Sequence, residues 1–336
     1  MKKLENKTNT DIILLEHYIR KQDVATVRSL LEEDIDLESK DLLGRTALHY
    51  AAEVGNKEIV KMLLDKGIDP NITDNDGITP LYVAIRTGNV EIVKVLIDNG
   101  ANINSKNTSK QTPLYLAIKS KNKDMINLLI SEGAIDNMTD KQLYIALEEL
   151  INKDNIYDIL ELIINKYKEK RKKFKYANKI ASKVLNHPKL VKLLMEITTD
   201  INEPLYNCYT LLNKALGDAC LESAKVLLEM GSDPNIEVYS SQLTNMEYAT
   251  YYSGEVVKLL IDYGYDIHKR DIYNQTPLMY AVRKGNVEAV KILLEAGADI
   301  NVMNIYGHTL FTMCGNKEIE KMLLDKLNKD NGNNNI

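Results

Sequence analysis

Five histidines stand in the chain, His17, His49, His187, His268 and His308. No two share the HxxxH or HxxH spacing that sets two imidazoles on one helix face around a metal ion, and none neighbours a cysteine pair. Cys208, Cys220 and Cys314 form no CxxC, and their odd number fits free thiols in a reducing compartment better than a disulfide framework. The chain has no GxGxxG, no GxxxxGK[ST] to cradle a phosphate and no GxSxG elbow. Carboxylates are plentiful, but Glu58, Glu91, Glu222, Glu255 and Glu288 recur at near-constant spacing, whereas a catalytic pair would be singular. No catalytic group, cofactor site or metal site is expected, and the chain reads as non-enzymatic.

One stretch stands out by charge. Between Asn165 and Lys183, nine Lys and Arg residues face Glu169 alone, a local charge of +8 in a chain of net charge −5. Its densest part is Lys168, Lys170, Arg171, Lys172, Lys173 and Lys175. Three readings fit: a solvated helix end and loop, a docking patch for an acidic protein surface, and nuclear import or nucleic-acid binding. Tyr167, Phe174 and Tyr176 interleave, which suits stacking on bases. They also suit filling a gap between two irregular segments of the fold, the reading favoured here.

The elements that would position these residues are short and repeated. In Asp74–Asn104, DNDG is turn chemistry. Thr79-Pro80 opens a helix with Leu81, Ala84 and Ile85 on one face, and Gly88-Asn89 stops it. A second helix carries Ile92, Val93, Val95, Leu96 and Ile97 and closes at Gly100. Helices this short do not hold alone. The second-helix phrase returns from Val27, Val60, Val93, Ile126, Leu160, Val191, Ala224, Val257, Val290 and Glu320, at intervals of 33, 33, 33, 34, 31, 33, 33, 33 and 30. The opening phrase returns as TALHYA at Thr46, TPLYVA at Thr79, TPLYLA at Thr112 and TPLMYA at Thr276.

This period and these phrases resemble ankyrin repeats over nearly the whole chain. The resemblance implies an all-α solenoid of helix-turn-helix units with hairpin-like turns along one edge, and for His49 a structural hydrogen bond between neighbouring repeats. On this reading residues 1–10 are a polar lead segment and 11–328 hold about ten repeats. Their approximate bounds are 11–40, 41–73, 74–106, 107–138, 139–170, 171–202, 203–236, 237–270, 271–303 and 304–328. Residues 329–336 are an Asn-rich tail expected to be disordered. The first and last repeats are atypical, as end caps should be. The fifth and sixth lack the Thr-Pro opening, the eighth is one residue short at ATYYSGE, and the fourth carries Lys110 in place of the turn glycine, predicting a looser or differently shaped loop.

Ankyrin proteins bind on their concave side, through turn tips and the exposed face of the first helices. Carried onto this sequence, the partner-binding residues are Leu42, Leu43, Arg45, Asp76, Ile78, Arg86, Lys119, Ile272, Tyr273, Gln275, Arg283, Ile305, Tyr306 and His308. Two sets of tips, Leu42-Leu43 and Ile272-Tyr273 with Ile305-Tyr306, are apolar, as interaction surfaces are. The expected function is a scaffold for a protein partner; the alternative is a nucleic-acid or nuclear factor using residues 165–183. No apolar run suits a Sec signal or a membrane span, and a monomer in the cytoplasm is expected. The abundance of Lys, Asn and Ile fits an AT-rich coding genome, hence a microbial or viral protein acting on host components, in which case the compartment is the host's cytoplasm.

The core positions are separable from recognition. Replacing any one of Leu63, Leu96, Leu129, Leu260 or Leu293 by Ala should cost about 2–5 kcal/mol of unfolding free energy through the cavity left behind. Urea denaturation measures it, and a loss below 1 kcal/mol at these positions would contradict the assigned core.

Overall fold

The computed structural model describes residues 12–33, 35–135, 138–151, 157–169, 173–205, 209–236 and 244–333. Among these the regular structure is helical, and β-structure is confined to isolated bridges such as Phe174–Thr198 and Met303–Thr309. The chain divides into two compact units, Met1–Arg171 and Lys172–Ile336.

The first unit holds α1 (residues 12–20), α2 (Val24–Leu30), α3 (Ala47–Val54), α4 (Lys57–Asp65), α5 (Pro80–Thr87), α6 (Val90–Asp98), α7 (Pro113–Ser120), α8 (Lys123–Ser131), α9 (Asp140–Ile151) and α10 (Tyr157–Glu169). First helices pack on first helices, α3 on α5, α5 on α7 and α7 on α9. The second helices α2, α4, α6, α8 and α10 form the other layer.

The second unit repeats the plan with α11 (Ala177–Ala181), α12 (Pro188–Ile197), α13 (Leu211–Gly217), α14 (Leu221–Glu229), α15 (Asn245–Tyr252), α16 (Gly254–Asp262), α17 (Pro277–Lys284), α18 (Val287–Glu295), α19 (Leu310–Met313) and α20 (Lys317–Asn333). Fully buried leucines recur in step through both units: Leu63, Leu96 and Leu129, then Leu194, Leu227, Leu260 and Leu293. Each lies on the one apolar stripe of its helix, so a helix of nine residues buries that stripe only against its neighbours.

Local chemistry fixes the ends of these helices. Asn56, Asn89, Asn122 and Asn286 cap the second helices by accepting backbone N–H groups of the first turn. At the other end Gly100 takes φ +88°, and Ala101 N–H returns to the Leu96 carbonyl at 2.9 Å. Among the described residues, the turns at Asp41, Asp74, Asn107, Asp271 and Asn304 close on that Asp or Asn. Asp41 Oδ1 accepts the N–H of Leu43 and Arg45, both at 2.8 Å, and Asp74 Oδ1 does the same for Asp76 and Ile78. Neighbouring tips are then joined by backbone, Asn75 N–H to Leu43 O at 2.9 Å and Thr108 N–H to Asp76 O at 3.1 Å.

The irregular repeats resolve into particular geometries. Lys110, expected to loosen its turn, adopts φ +60° and keeps the hydrogen bond from its own N–H to the Asn107 carbonyl at 2.8 Å, so the loop holds its shape without glycine. Gly44 has less freedom, because a Cβ there would lie 2.5 Å from Asn75 Oδ1. The missing residue after α15 leaves extended Ser253 as the only link to α16. The tail expected to be disordered is corrected in part. Helix α20 runs on through residues 329–333, where Lys326 and Asp330 pair at 2.9 Å one turn apart, since adding residues to an existing helix costs little. Residues 334–336 and the lead segment 1–10 lie outside the described residues.

His49 is a tie between repeats, as the resemblance implied. Thr46 N–H donates to Nδ1 at 3.1 Å, which leaves the ring proton on Nε2 to donate to the Ile78 carbonyl at 3.0 Å. Burial holds the imidazole below its ordinary pKa, the neutral form this pattern needs. His49→Ala should lower unfolding free energy by about 1–3 kcal/mol, since it leaves the buried Thr46 N–H unpaired and takes one of two hydrogen bonds from the Ile78 carbonyl, which keeps the Asp74 N–H at 2.9 Å. Chemical denaturation reads this, and no change would show that His49 ties nothing.

Candidate functional site

The predicted residues fall into two groups, one in each unit. In the first unit the ring of Tyr50 lies between two guanidinium groups, Arg20 at 4.8 Å and Arg45 at 4.6 Å, and its hydroxyl donates to Asp41. Burial and that carboxylate raise the phenol pKa. Both arginines are spent within the fold: Arg20 on Glu16 (3.0 Å) and Glu53 (3.4 Å), Arg45 on Asp41 (3.1 Å). Leu42 and Leu43 stand out in solvent at the tip, 93% and 57% exposed. Asp76, Arg86 and Lys119 are exposed on neighbouring repeats and Ile78 is half-buried.

The second unit gathers its residues into a cleft. Asp271 closes the turn by accepting the N–H groups of Tyr273 (2.9 Å) and Gln275 (2.6 Å) on Oδ1. Its other oxygen, Oδ2, accepts the Tyr280 hydroxyl at 2.5 Å and Gln275 Nε2 at 3.3 Å. Arg283 places its guanidinium carbon over the Tyr280 ring, 4.7 Å from its centre, and donates from Nη1 to Gln275 Oε1 at 3.2 Å. One turn further on, Asn304 Oδ1 accepts Tyr306 N–H and His308 N–H, both at 3.0 Å. The two tips are stitched by Ile305 N–H to Tyr273 O at 3.1 Å and by Asn274 Nδ2 to Met303 O at 2.8 Å. That pairing sets Tyr273 and Tyr306 face to face, centroids 6.0 Å apart and planes 27° apart, with His308 beside Tyr306 at 6.2 Å. The space they frame holds about 500 Å³ and is completed by Thr312 and Met313 of α19. Ile272, Ile305 and Tyr306 around it are 72%, 60% and 62% exposed.

Gln275 departs from expectation. It was assigned to an exposed tip, but it is only 6% exposed and touches a ligand space chiefly by holding Arg283 in place. Tyr280, Asp271, Asn304, Thr312 and Met313 were missed. A signal existed for the first two: an Asp five residues before the capping Thr, followed nine residues later by Tyr, occurs at Asp41/Tyr50 and again at Asp271/Tyr280.

Beneath this network lies Glu247, fully buried. It occupies in α15 the position His49 occupies in α3, three residues after the capping Thr, and accepts Thr244 N–H on Oε2 at 2.5 Å. Its Oε1 has no hydrogen-bond partner. Burial pushes its carboxyl above the usual carboxylate range and Asp271 adds to this, against pulls from Tyr280, Thr244 and Arg283. The interior thus disfavours the charged form of the carboxyl that stands where α3 has the neutral imidazole of His49.

Lys168 lies at the end of α10 in one unit, Lys173 and Lys175 lie in the other, and Lys170, Arg171 and Lys172 fall outside the described residues. Tyr167 and Phe174 are buried, Tyr167 donating to Asp140 at 2.7 Å, and neither ring is open to a base. Tyr176 is half-buried against Phe174 and Lys179. Among the described residues no group of three or more His, Cys, Asp or Glu could hold a metal ion. No described helix is long and apolar enough to cross a membrane.

The family described as ankyrin repeats, in copies of three, matches residues 15–107, 68–142, 178–271 and 244–304. The chain belongs to the ankyrin repeat family. No individual curated protein matches it. Ankyrin repeats generally mediate protein–protein interaction and are typically non-enzymatic. The matched ranges lie on either side of residues 143–177, where the Thr-Pro opening is missing from the sequence.

Within this ankyrin array Glu247 gives a test by pH. Its folded pKa is raised, so the stability tied to it is complete below the ordinary carboxylate pKa of about 4.3 and is lost as pH rises through the folded value. Glu247→Gln keeps a neutral donor and acceptor at every pH. The melting temperature of the variant relative to the native chain should therefore climb from about pH 4 upward. A difference that stays flat across that range would mean Glu247 is not held neutral by the fold.

Proposed function

We propose that this ankyrin protein is a non-enzymatic module that holds a protein partner on its turn tips and first-helix faces, with the Tyr273–Tyr306 cleft as the main contact of the second unit. The single observation that carries the reading is the stacked pair of tyrosines beside exposed Ile272 and Ile305. Aromatic groups held rigid at the surface lose little conformational freedom on binding, and Tyr and Arg are the side chains on which interface energy concentrates. The backbone N–H groups of Tyr273, Gln275, Ile305, Tyr306 and His308 are used inside the turn or between turns, so donors for a partner come from side chains. Leu42 and Leu43 supply a second apolar contact on the first unit.

The bias toward Lys, Asn and Ile supports a microbial or viral setting in which the partner is a host protein. A nucleic-acid role through residues 165–183 is the weaker reading, because the aromatic rings it needs at Tyr167 and Phe174 are in the core.

The test is a pull-down from the native or host cell, identification of the partner by mass spectrometry and titration calorimetry with the purified pair. Tyr273→Ala combined with Tyr306→Ala should leave far-UV circular dichroism and melting intact and weaken binding by about 2 kcal/mol or more, roughly 30-fold in Kd. An unaltered Kd would remove the two tyrosines from the site.

A further inference from the structure

The cleft lining carries one formal positive charge and, among the described residues, no carboxylate. Arg283 is exposed, makes no ion pair among the described residues, and gives one hydrogen bond, to Gln275 Oε1. Its guanidinium has five N–H donors, so most of them face outward unused. The contrast with the first unit is direct: Arg20 and Arg45 lie over Tyr50 just as Arg283 lies over Tyr280, yet both are paired with carboxylates of the fold. Here the corresponding acid is occupied elsewhere. Asp271 spends Oδ1 on two backbone N–H groups and Oδ2 on Tyr280 and Gln275. No carboxylate lines the cleft, whose walls are Tyr273, Tyr306, His308, Asn304, Thr312 and Met313 together with Gln275 and Arg283.

Arg283 is also restrained before anything binds, by contact with the Tyr280 ring and by the hydrogen bond to Gln275, itself bonded to Asp271. A guanidinium presented as an open fork matches a carboxylate by geometry as well as by charge. A few side chains away, the ring of Tyr306 offers a flat apolar face at the mouth of the same cleft.

Resting on the protein-binding reading above, we infer that the occupant of this cleft is an extended segment of the partner polypeptide in which an Asp or Glu side chain reaches Arg283 while an apolar or aromatic residue close to it in sequence packs on Tyr306. The acid supplies the charge that the cleft lacks, and the apolar neighbour covers the tyrosine pair. Recognition is then of a short acidic-apolar segment, and it weakens with added salt because the pair forms near the surface.

A random dodecapeptide library displayed on phage, panned against the immobilised full chain, tests this without knowledge of the natural partner. Displayed through its C-terminus, the library offers side-chain carboxylates only. Enriched peptides should carry Asp or Glu near an apolar residue. As synthetic C-terminally amidated peptides they should bind Arg283→Gln at least about tenfold more weakly than the native chain. Salt dependence should shrink in that variant, and Arg283→Lys, which keeps the charge but loses the fork, should fall between. Because Arg283 is exposed, both variants should melt like the native chain. Peptides that carry no acid, or that bind Arg283→Gln as well as the native chain while losing affinity for the Tyr273/Tyr306 double variant, would overturn the acidic occupant and leave the protein-binding cleft standing. Binding indifferent to both sets of substitutions would overturn both, and failure to enrich any peptide would overturn a linear segment as the occupant.

Discussion

The hydrogen bonds that tie one helix pair to the next join residues about one repeat apart, and the fold depends on them. Asn71 Nδ2 reaches the Gly100 carbonyl and Asn235 Nδ2 the Gly264 carbonyl, each across 29 residues of sequence. Asn89 reaches Gly55 across 34, and Glu288 accepts Gly254 N–H across 34. Lys57–Glu91 and Lys123–Asp158 repeat the same step as ion pairs, but these are exposed and worth little individually. Helices of eight or nine residues do not persist by themselves. What stabilises each pair is burial against the next, and the short polar bonds set the register in which that burial happens. Stability in such an array is close to a sum over units and their interfaces.

That dependence explains which features were legible in the sequence. The helices, their apolar stripes and the recurring buried leucines follow from a period that can be counted in the letters, and the ankyrin resemblance rests on the same count. The Thr-Pro openings sit where α5, α7 and α17 begin. Other parts were written in single letters whose meaning depends on a neighbour in space. Asn89 reads equally as the stop of one helix or the cap of the next, and it is the cap. Lys110 reads as a lost glycine, yet its backbone takes the left-handed angle because the turn's own hydrogen bonds hold it there. The tips were foreseen as positions; their roles were not. Gln275 and Arg45 occupy the same place in their turns, and Gln275 turns inward to orient an arginine whereas Arg45 pairs with its own Asp41.

The position three residues after the capping Thr shows how much chemistry one backbone slot tolerates. It holds His49, Tyr82, Tyr115, Gln142, Asn213, Glu247, Met279 and Thr312 in successive openings of this kind. His49, Gln142, Asn213, Glu247 and Thr312 each accept the N–H of their Thr. Tyr82 instead sends its hydroxyl to the carbonyls of Ser105 and Gln111 in the next repeat, and burial raises its pKa to about 12. The backbone requires an acceptor, a donor or packing there, and several side chains meet that requirement. Glu247 is the one carboxyl among them, and its neighbours are Tyr280, Asp271 and Arg283 of the cleft network.

The cleft itself follows from the irregularity of the last helix pair. Helices α3, α5, α7, α15 and α17 each run eight residues, whereas α19 runs four, Leu310–Met313, before the chain turns into α20. A full-length α19 would continue along the C-terminal turn of α17, where Arg283 lies. The last turn of α17 is exposed as those of α5 and α7 are, and Thr312 and Met313 of the short helix line the cleft beside it. The shortened helix forgoes packing that a regular repeat would gain, a cost of burial set against an open surface. The turn before α19 is nevertheless built in full, with Asn304 bonded to both Tyr306 and His308 and the tip joined by backbone to Tyr273. The turn therefore holds the aromatic pair in place although the helix that follows it is short.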